Sequence, residues 1–302
     1  MRRWLTGVFL AAVSVIAFAS TFAAGGALTR AHGVSPEVLV LLRFALAGTV
    51  MLAFEARNAA GRRRLFQAPR RRDWLLFATL GPIGTSVMSW CVFRSCACVS
   101  TVNASMADAL APLFMFALAA WQMRRISLTQ IVGALCGFAG ALLVIGVVSR
   151  GGLTLAGFTV GDVYVLLAAL TWAFYSVCGR EVINRLGSGP YTVWTMLFGM
   201  SAFLLLLPFL DCVWPSTPRA WLLVAYLGLG STLVPFWAWN AAQNYLPVSA
   251  MGVSAYFTPV AALILAGVFL GEVATPLQLL GTVLVCCSAL VEFRPADPRG
   301  GR

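Results

Sequence analysis

The chain has 302 residues, of which 60% are apolar and 10% charged, whereas soluble domains carry roughly 45–50% apolar and about 25% charged residues. That balance excludes a soluble globular enzyme, a disordered protein and a nucleic-acid-binding domain, and it leaves a polytopic all-α membrane protein. All 21 basic residues behind the net charge of +11 are Arg, so the informative question is on which side of a membrane they fall.

In chain order, the apolar runs are Trp4–Ala27, Val38–Phe54, Trp74–Phe93, Thr101–Trp121, Leu128–Val148, Gly157–Cys178, Tyr191–Leu210, Trp221–Asn240, Val248–Leu270 and Pro276–Phe293. Each is near the ~20 residues a spanning helix needs. They are too continuously apolar for the period-2 alternation of a barrel, and open strands cannot satisfy their backbone in lipid. The first run follows Met1-Arg2-Arg3 and contains Ala17-Phe18-Ala19, which together mimic a signal peptide. It is expected to remain as a helix, because it continues to about Ala27 and takes part in the repeat below.

Ten spans with a cytoplasmic N-terminus place 16 arginines inside: Arg2, Arg3, the seven from Arg57 to Arg72, Arg124, Arg125, Arg180, Arg185, Arg294, Arg299 and Arg302. Four fall outside, namely Arg30, Arg94, Arg150 and Arg219, and Arg43 lies within the second run. This asymmetry predicts two cytoplasmic termini and accounts for the net charge through an anionic inner leaflet. The expected partners are therefore membrane lipids and a small-molecule substrate, with no nucleic acid.

The sequence also repeats itself. Trp74-Leu-Leu-Phe-Ala-Thr-Leu-Gly81 matches Trp221-Leu-Leu-Val-Ala-Tyr-Leu-Gly228 at an offset of 147, and at that offset Thr85 meets Thr232, Trp90 meets Trp237 and Pro112 meets Pro259. Gln130-Ile-Val-Gly133 meets Gln278-Leu-Leu-Gly281 one residue later. At an offset of 154, Phe18 meets Trp172 and Pro36 meets Pro190. Two five-helix units are expected, at residues 1–150 and 151–302. Five is odd, so the second copy sits upside down, which is a transporter architecture.

Several short motifs follow one another in a recognisable order: Leu41-Leu-Arg-Phe-Ala-Leu-Ala47, Trp172-Ala-Phe-Tyr175, Tyr256-Phe-Thr-Pro-Val260, Phe269-Leu-Gly-Glu272 and Gln278-Leu-Leu-Gly281. In these motifs and their order the chain resembles the EamA-type, ten-helix members of the drug/metabolite transporter superfamily. Two places depart from the family pattern: Phe18-Ala-Ser-Thr-Phe22 in the first helix, and Gln122-Met-Arg-Arg125 where the second copy has Leu-Gly-Glu. The resemblance implies a cytoplasmic-membrane carrier, usually an exporter of metabolites such as amino acids, working without a cofactor.

Ionisable groups inside spans are costly and point to function. Arg43 and Asp108 are both expected about 8–11 Å below the outer surface at 1.5 Å per residue, as an inter-helix ion pair or as a substrate or proton-coupling group. Pro112, Pro235 and Pro259 fall inside helices, where the carbonyls they free must line protein or water. Pro112 and Pro259 are the expected hinges. Trp237, Asn240, Gln243 and Asn244 share a helical face by spacing. With Ser20, Thr21, Ser89, Trp90, Trp172, Tyr175 and Tyr256 they suggest an aromatic cavity dotted with hydroxyls and amides, suited to a small amphipathic metabolite or a flat hydrophobic drug.

Other chemistries find little support. There is no Walker-type loop for ATP. His32 is the single His, and Asp73, Asp108, Asp162, Asp211 and Asp297 are scattered rather than clustered, which disfavours an intramembrane enzyme. A non-transporting sensor or assembly subunit would lack any signalling domain, and the first helix has no acid of the kind cation-drug exporters use. The eight Cys read as small hydrophobes, with Cys96, Cys98 and Cys212 expected in loops. Gly133-Ala-Leu-Cys-Gly137 has GxxxG form, leaving internal packing and a homodimer both open.

Overall fold

The computed structural model describes residues 2–66, 68–98, 106–123, 128–145, 148–149, 152–153, 160–258, 260–261, 264 and 275–292. The described residues fold mainly as helices, with an antiparallel pair of two-residue strands, Val148–Ser149 with Gly152–Leu153. The helices are α1 (Arg2–Gly26), α2 (Pro36–Ala56), α3 (Ala59–Phe66), α4 (Arg71–Gly81), α5 (Met88–Cys98), α6 (Met106–Met123), α7 (Leu128–Ile145), α8 (Val160–Cys178), α9 (Arg180–Leu186), α10 (Ser188–Leu206), α11 (Pro218–Gly228), α12 (Val234–Ala242), α13 (Val248–Ala255) and α14 (Pro276–Glu292). Among the described residues, five continuous stretches are long and apolar enough to cross a membrane: Arg2–Ala31, Pro36–Ala56, Arg71–Cys98, Ser188–Phe209 and Pro218–Ala242. A sixth, α8 with α9, is bent by 42°. The protein is an all-helical membrane protein.

Local chemistry sets the helix starts. Pro36 opens α2 with Glu37 in its first turn, where fixed φ and negative charge suit the helix N-terminus. Thr217 caps α11 by accepting from the Ala220 amide at 3.2 Å. At the bend between α8 and α9, Gly179 lies so close to the Tyr191 hydroxyl and the Tyr175 carbonyl that a side chain has no room.

Besides the π turn that ends the first stretch at Ala27–Ala31, two stretches carry one in mid-span. α4 and α11 each run for 11 residues, and each leads into a π-helical turn, Pro82–Val87 and Leu229–Leu233. A π turn closes its hydrogen bonds one residue later than an α turn and is common at functional sites. Both turns begin 147 residues apart, at the offset of the sequence repeat. The packing partners cross over in the same sense. α10 lies on α4 and the first π turn, while α2 lies on α11 and the second; α2 and α10 pack together, as do α7 and α14. The GxxxG face of α7 is used inside the chain, with Gly137 against Tyr256 and Ser288, and Gly140 against the Gly281 backbone.

The two ends of the bundle differ. One carries the arginines: Arg64 meets Glu55 at 3.6 Å, Arg185 pairs with Asp73, and Arg180 donates to the Leu246 carbonyl at 2.7 Å. The N-terminal part of α1 sits there too, with Gly7 against Tyr245 and Leu246. At the opposite end Ser35 bonds Val213, and Arg94 pairs with Glu37 at 2.6 Å. Cys96 and Cys98 do not lie in a loop as expected: α5 continues through them and buries Cys96.

Candidate functional site

A cavity of about 370 Å³ of free space, its mouth included, opens among α1, α2, α5 and α8. Phe18, Thr21, Phe22, Arg43, Met88, Ser89, Val92 and Trp172 line it. Its lining of mainly apolar groups with a few convergent polar ones is of the kind that small-molecule pockets have.

Proline chemistry builds its polar wall. Pro235 has no amide hydrogen, so the Ser231 carbonyl four residues earlier loses its helical donor. Thr21 Oγ1 donates to that oxygen at 3.1 Å and Arg43 Nη2 at 3.4 Å. Arg43 Nε donates at 2.7 Å to Thr232 Oγ1, which itself donates to the Leu227 carbonyl. The π turn of the second stretch thus anchors Arg43 from α2 and Thr21 from α1. The guanidinium is 2% exposed and lies 5.2 Å from the ring centroids of both Phe44 and Phe93. Among the described residues it forms no ion pair. Asp108 stands in the first turn of α6, but its side chain lies outside the described residues, as do those of Asp162 and Glu292 and the whole of Pro259. Ser89 Oγ lines the same cavity, is buried and, among the described residues, lacks a hydrogen-bond partner.

Toward the arginine-rich end, an aromatic layer underlies the cavity. Trp172 stacks on Tyr175 at 5.3 Å and 17°, and also touches Phe18, Phe236 and Trp239. Asn240 Nδ2 donates to Tyr175 Oη at 2.8 Å and to Thr192 Oγ1 at 2.9 Å, joining α12, α8 and α10. Trp239 Nε1 donates to Ser176 at 3.1 Å. These polar groups are buried yet paired, as buried polar groups must be.

Of the expected site residues, Thr21, Arg43, Ser89 and Trp172 meet in the cavity, and Tyr175 and Asn240 meet in the layer beneath it. The others lie elsewhere. Trp237 is 39% exposed on the perimeter, so it does not share the face of Asn240 that points inward; the buried side of α12 carries Phe236, Trp239 and Asn240. Ser20 accepts from the exposed Tyr226 hydroxyl at 2.8 Å, on the seam of α1 and α11. Trp90 sits at the opposite end from the arginines, donating to Glu37 at 2.7 Å with its ring 5.4 Å from Tyr164. Tyr256 is buried between helices and donates to the Ala134 carbonyl at 2.9 Å. Pro112 is buried inside α6, facing Gly252 of α13. Sequence reasoning missed Glu37, which holds both Trp90 and Arg94; the signal available was an acid in the first turn after Pro36. It also missed Thr192 and Trp239.

Comparison with known proteins gives a consistent picture. A model of the EamA-like transporter family matches the chain twice, at residues 5–146 and 159–293. A probable terminal-alkyne amino-acid exporter of Streptantibioticus cattleyicolor is 30% identical over 279 residues, spanning 92% of this chain and 90% of the relative. The aromatic amino acid exporter YddG of Ancylobacter novellus is 24% identical over 266 residues, 88% of each chain. The uncharacterised transporter YdfC of Bacillus subtilis is 27% identical over 84% of this chain and 80% of its own. One crystal structure, 23% identical, shares the fold with a TM-score of 0.75 and covers 97% of this chain and 98% of that one. With nearly the whole length matched and two copies of the same model end to end, the chain belongs to the EamA-like transporter family.

Proposed function

We propose that the protein is a secondary transporter of the cytoplasmic membrane, exporting small amphipathic metabolites such as amino acids by alternating access between two inverted five-helix repeats, residues 1–150 and 151–302. The observation that carries this reading is the cavity whose walls come from both halves, with Thr21, Arg43 and Ser89 on one side of the repeat boundary and Trp172 on the other. Its polar wall hangs on the π turn of the second half, whose counterpart in the first half begins 147 residues earlier. Crossed packing of α2 and α10 on each other's π-turn helices is what a pseudo-two-fold axis in the membrane plane produces. The named relatives that export amino acids favour that substrate class. The layer of Trp172, Tyr175, Trp239 and Asn240 acts as the closed gate on the arginine-rich side, which is cytoplasmic by the positive-inside rule.

Counterflow in proteoliposomes against a panel of amino acids, sugars and cationic dyes tests the reading. Exchange of amino acids is the expected result; exchange of dyes alone would make the protein a drug exporter, and turnover of any solute in detergent without a second compartment would make it an enzyme. Orientation has its own test. Reporter fusions at Arg302 and within 62–72 should both report cytoplasm, and a periplasmic signal at either site ends the ten-span topology.

A further inference from the structure

Within that cavity, we propose that Arg43 and Ser89 form a subsite for the carboxylate of the transported molecule, with Phe18, Phe22, Met88, Val92 and Trp172 receiving its apolar side chain. The inference rests on the transport reading above and adds which groups would recognise the cargo's carboxylate.

A guanidinium stays charged at any physiological pH and offers five N–H donors in a fixed plane. Thr232 and Ser231 take one donor each. The two flanking rings of Phe44 and Phe93 stabilise the cation without neutralising it. A charge buried to this degree is retained where a counter-charge arrives. Among the described residues none of the three ion pairs involves Arg43, and none of the cavity-lining residues is acidic. A carboxylate on the cargo would meet this charge.

Ser89 gives the second, independent observation. Its hydroxyl lines the same cavity, is fully buried and has no partner among the described residues, although buried hydroxyls are nearly always satisfied. A hydroxyl that donates and a guanidinium fork that donates in a plane together match the two oxygens of a carboxylate. One fixed cation suits a singly charged carboxylate better than a phosphate, which carries more charge. Apart from Thr21, whose hydroxyl donates to the Ser231 carbonyl, the remaining lining is aliphatic and aromatic and selects against a second charged group on the side chain.

The test is ligand-induced thermal stabilisation of the purified full-length protein in detergent, titrating L-phenylalanine, L-leucine and 3-phenylpropionate against 2-phenylethylamine, which lacks the carboxylate. The carboxylates are expected to stabilise the wild type and the amine is not. Arg43 also ties α2 to the second π turn, so Arg43→Gln is expected to lower abundance as well as binding. Ser89→Ala removes only an unpaired hydroxyl and separates the two roles: it should keep wild-type abundance and melting temperature and bind the carboxylates roughly tenfold more weakly. Arg43→Lys keeps the charge but loses the planar fork, and should bind more weakly than wild type. Equal affinity of Ser89→Ala and wild type for every carboxylate overturns the assignment of Ser89. Stabilisation by the amine equal to that by L-phenylalanine, or by no carboxylate in the series, overturns the subsite. Counterflow of a neutral or cationic solute in the same preparation would then leave the transport reading standing, whereas absence of all counterflow beside intact carboxylate binding would sink transport and keep the subsite.

Discussion

Trp172→Ala should lower the stability of the detergent-purified protein by about 3 kcal/mol and abolish transport, while Trp237→Ala should change stability by less than ~0.5 kcal/mol and leave transport intact. The two residues are the same type on neighbouring helices, so the contrast isolates position. Trp172 contacts Phe18, Tyr175, Phe236 and Trp239, and its ring is both cavity wall and roof of the gate layer. Truncating a buried Trp in a soluble core costs about 3–5 kcal/mol, partly through transfer from water and partly through the void left behind. In a bilayer the transfer part is smaller because lipid tails are as apolar as the core, so the packing loss dominates and the lower end of that range applies. Trp237 is 39% exposed on the perimeter, where lipid fills the space its ring vacates. Thermal unfolding monitored by tryptophan fluorescence, with counterflow measured at matched membrane abundance, checks both values. Equal losses in the two variants would mean that Trp237 faces protein.

That contrast also marks where the sequence stops being informative. Apolar runs are a one-dimensional signal, and where residues are described each run lies mainly in helix, whereas the short helices α3 and α9 fall between runs and were not legible from them. Self-similarity is equally one-dimensional, and Thr85 with Thr232, paired by it, fall in the two π turns. Depth along a helix was legible too: Arg43 is buried in a span and Thr21, Ser89 and Trp172 surround the same cavity as it does. Facing direction was not. In a soluble helix the polar face declares the outside, but a membrane helix is apolar toward lipid and toward its neighbours alike. The spacing Trp237, Asn240, Asn244 is therefore as good a helical stripe as Phe236, Asn240, Gln243, and only packing chooses the second. The π turn at Leu229–Leu233 adds to this, since it shifts the phase of everything after it relative to α11. Glu37 escaped notice because it precedes the apolar run that begins at Val38, although its carboxylate is buried against Trp90 and Arg94.

The second large effect is expected where two backbones touch. Gly199 of α10 lies against Gly81 and the π turn of the first stretch; a Cβ there would collide with Thr85 Oγ1 and Ser86 Oγ and sit tightly on the Gly81 carbonyl. Thr85 Oγ1 is committed to that same carbonyl at 2.6 Å and reaches the Thr195 carbonyl at 3.4 Å, so it cannot swing aside without leaving buried oxygens unpaired. Close approach through small residues is how membrane helices gain packing energy, and overpacking such a seam costs about 1–3 kcal/mol. Gly199→Ala should therefore destabilise by about 2 kcal/mol even though Ala is the better helix former by roughly 1 kcal/mol. Gly252→Ala in α13 is the same substitution in the opposite setting. Its Cβ would meet Phe116 and Pro112 at 3.4–3.8 Å, which is ordinary contact, so the helix-propensity gain survives and the protein should be stabilised by up to about 1 kcal/mol. Melting temperatures of the two variants, measured side by side, should move in opposite directions. A rise for Gly199→Ala would show that α10 and the first π turn slide apart at little cost, and the seam would then be a moving joint of the transport cycle rather than a fixed one.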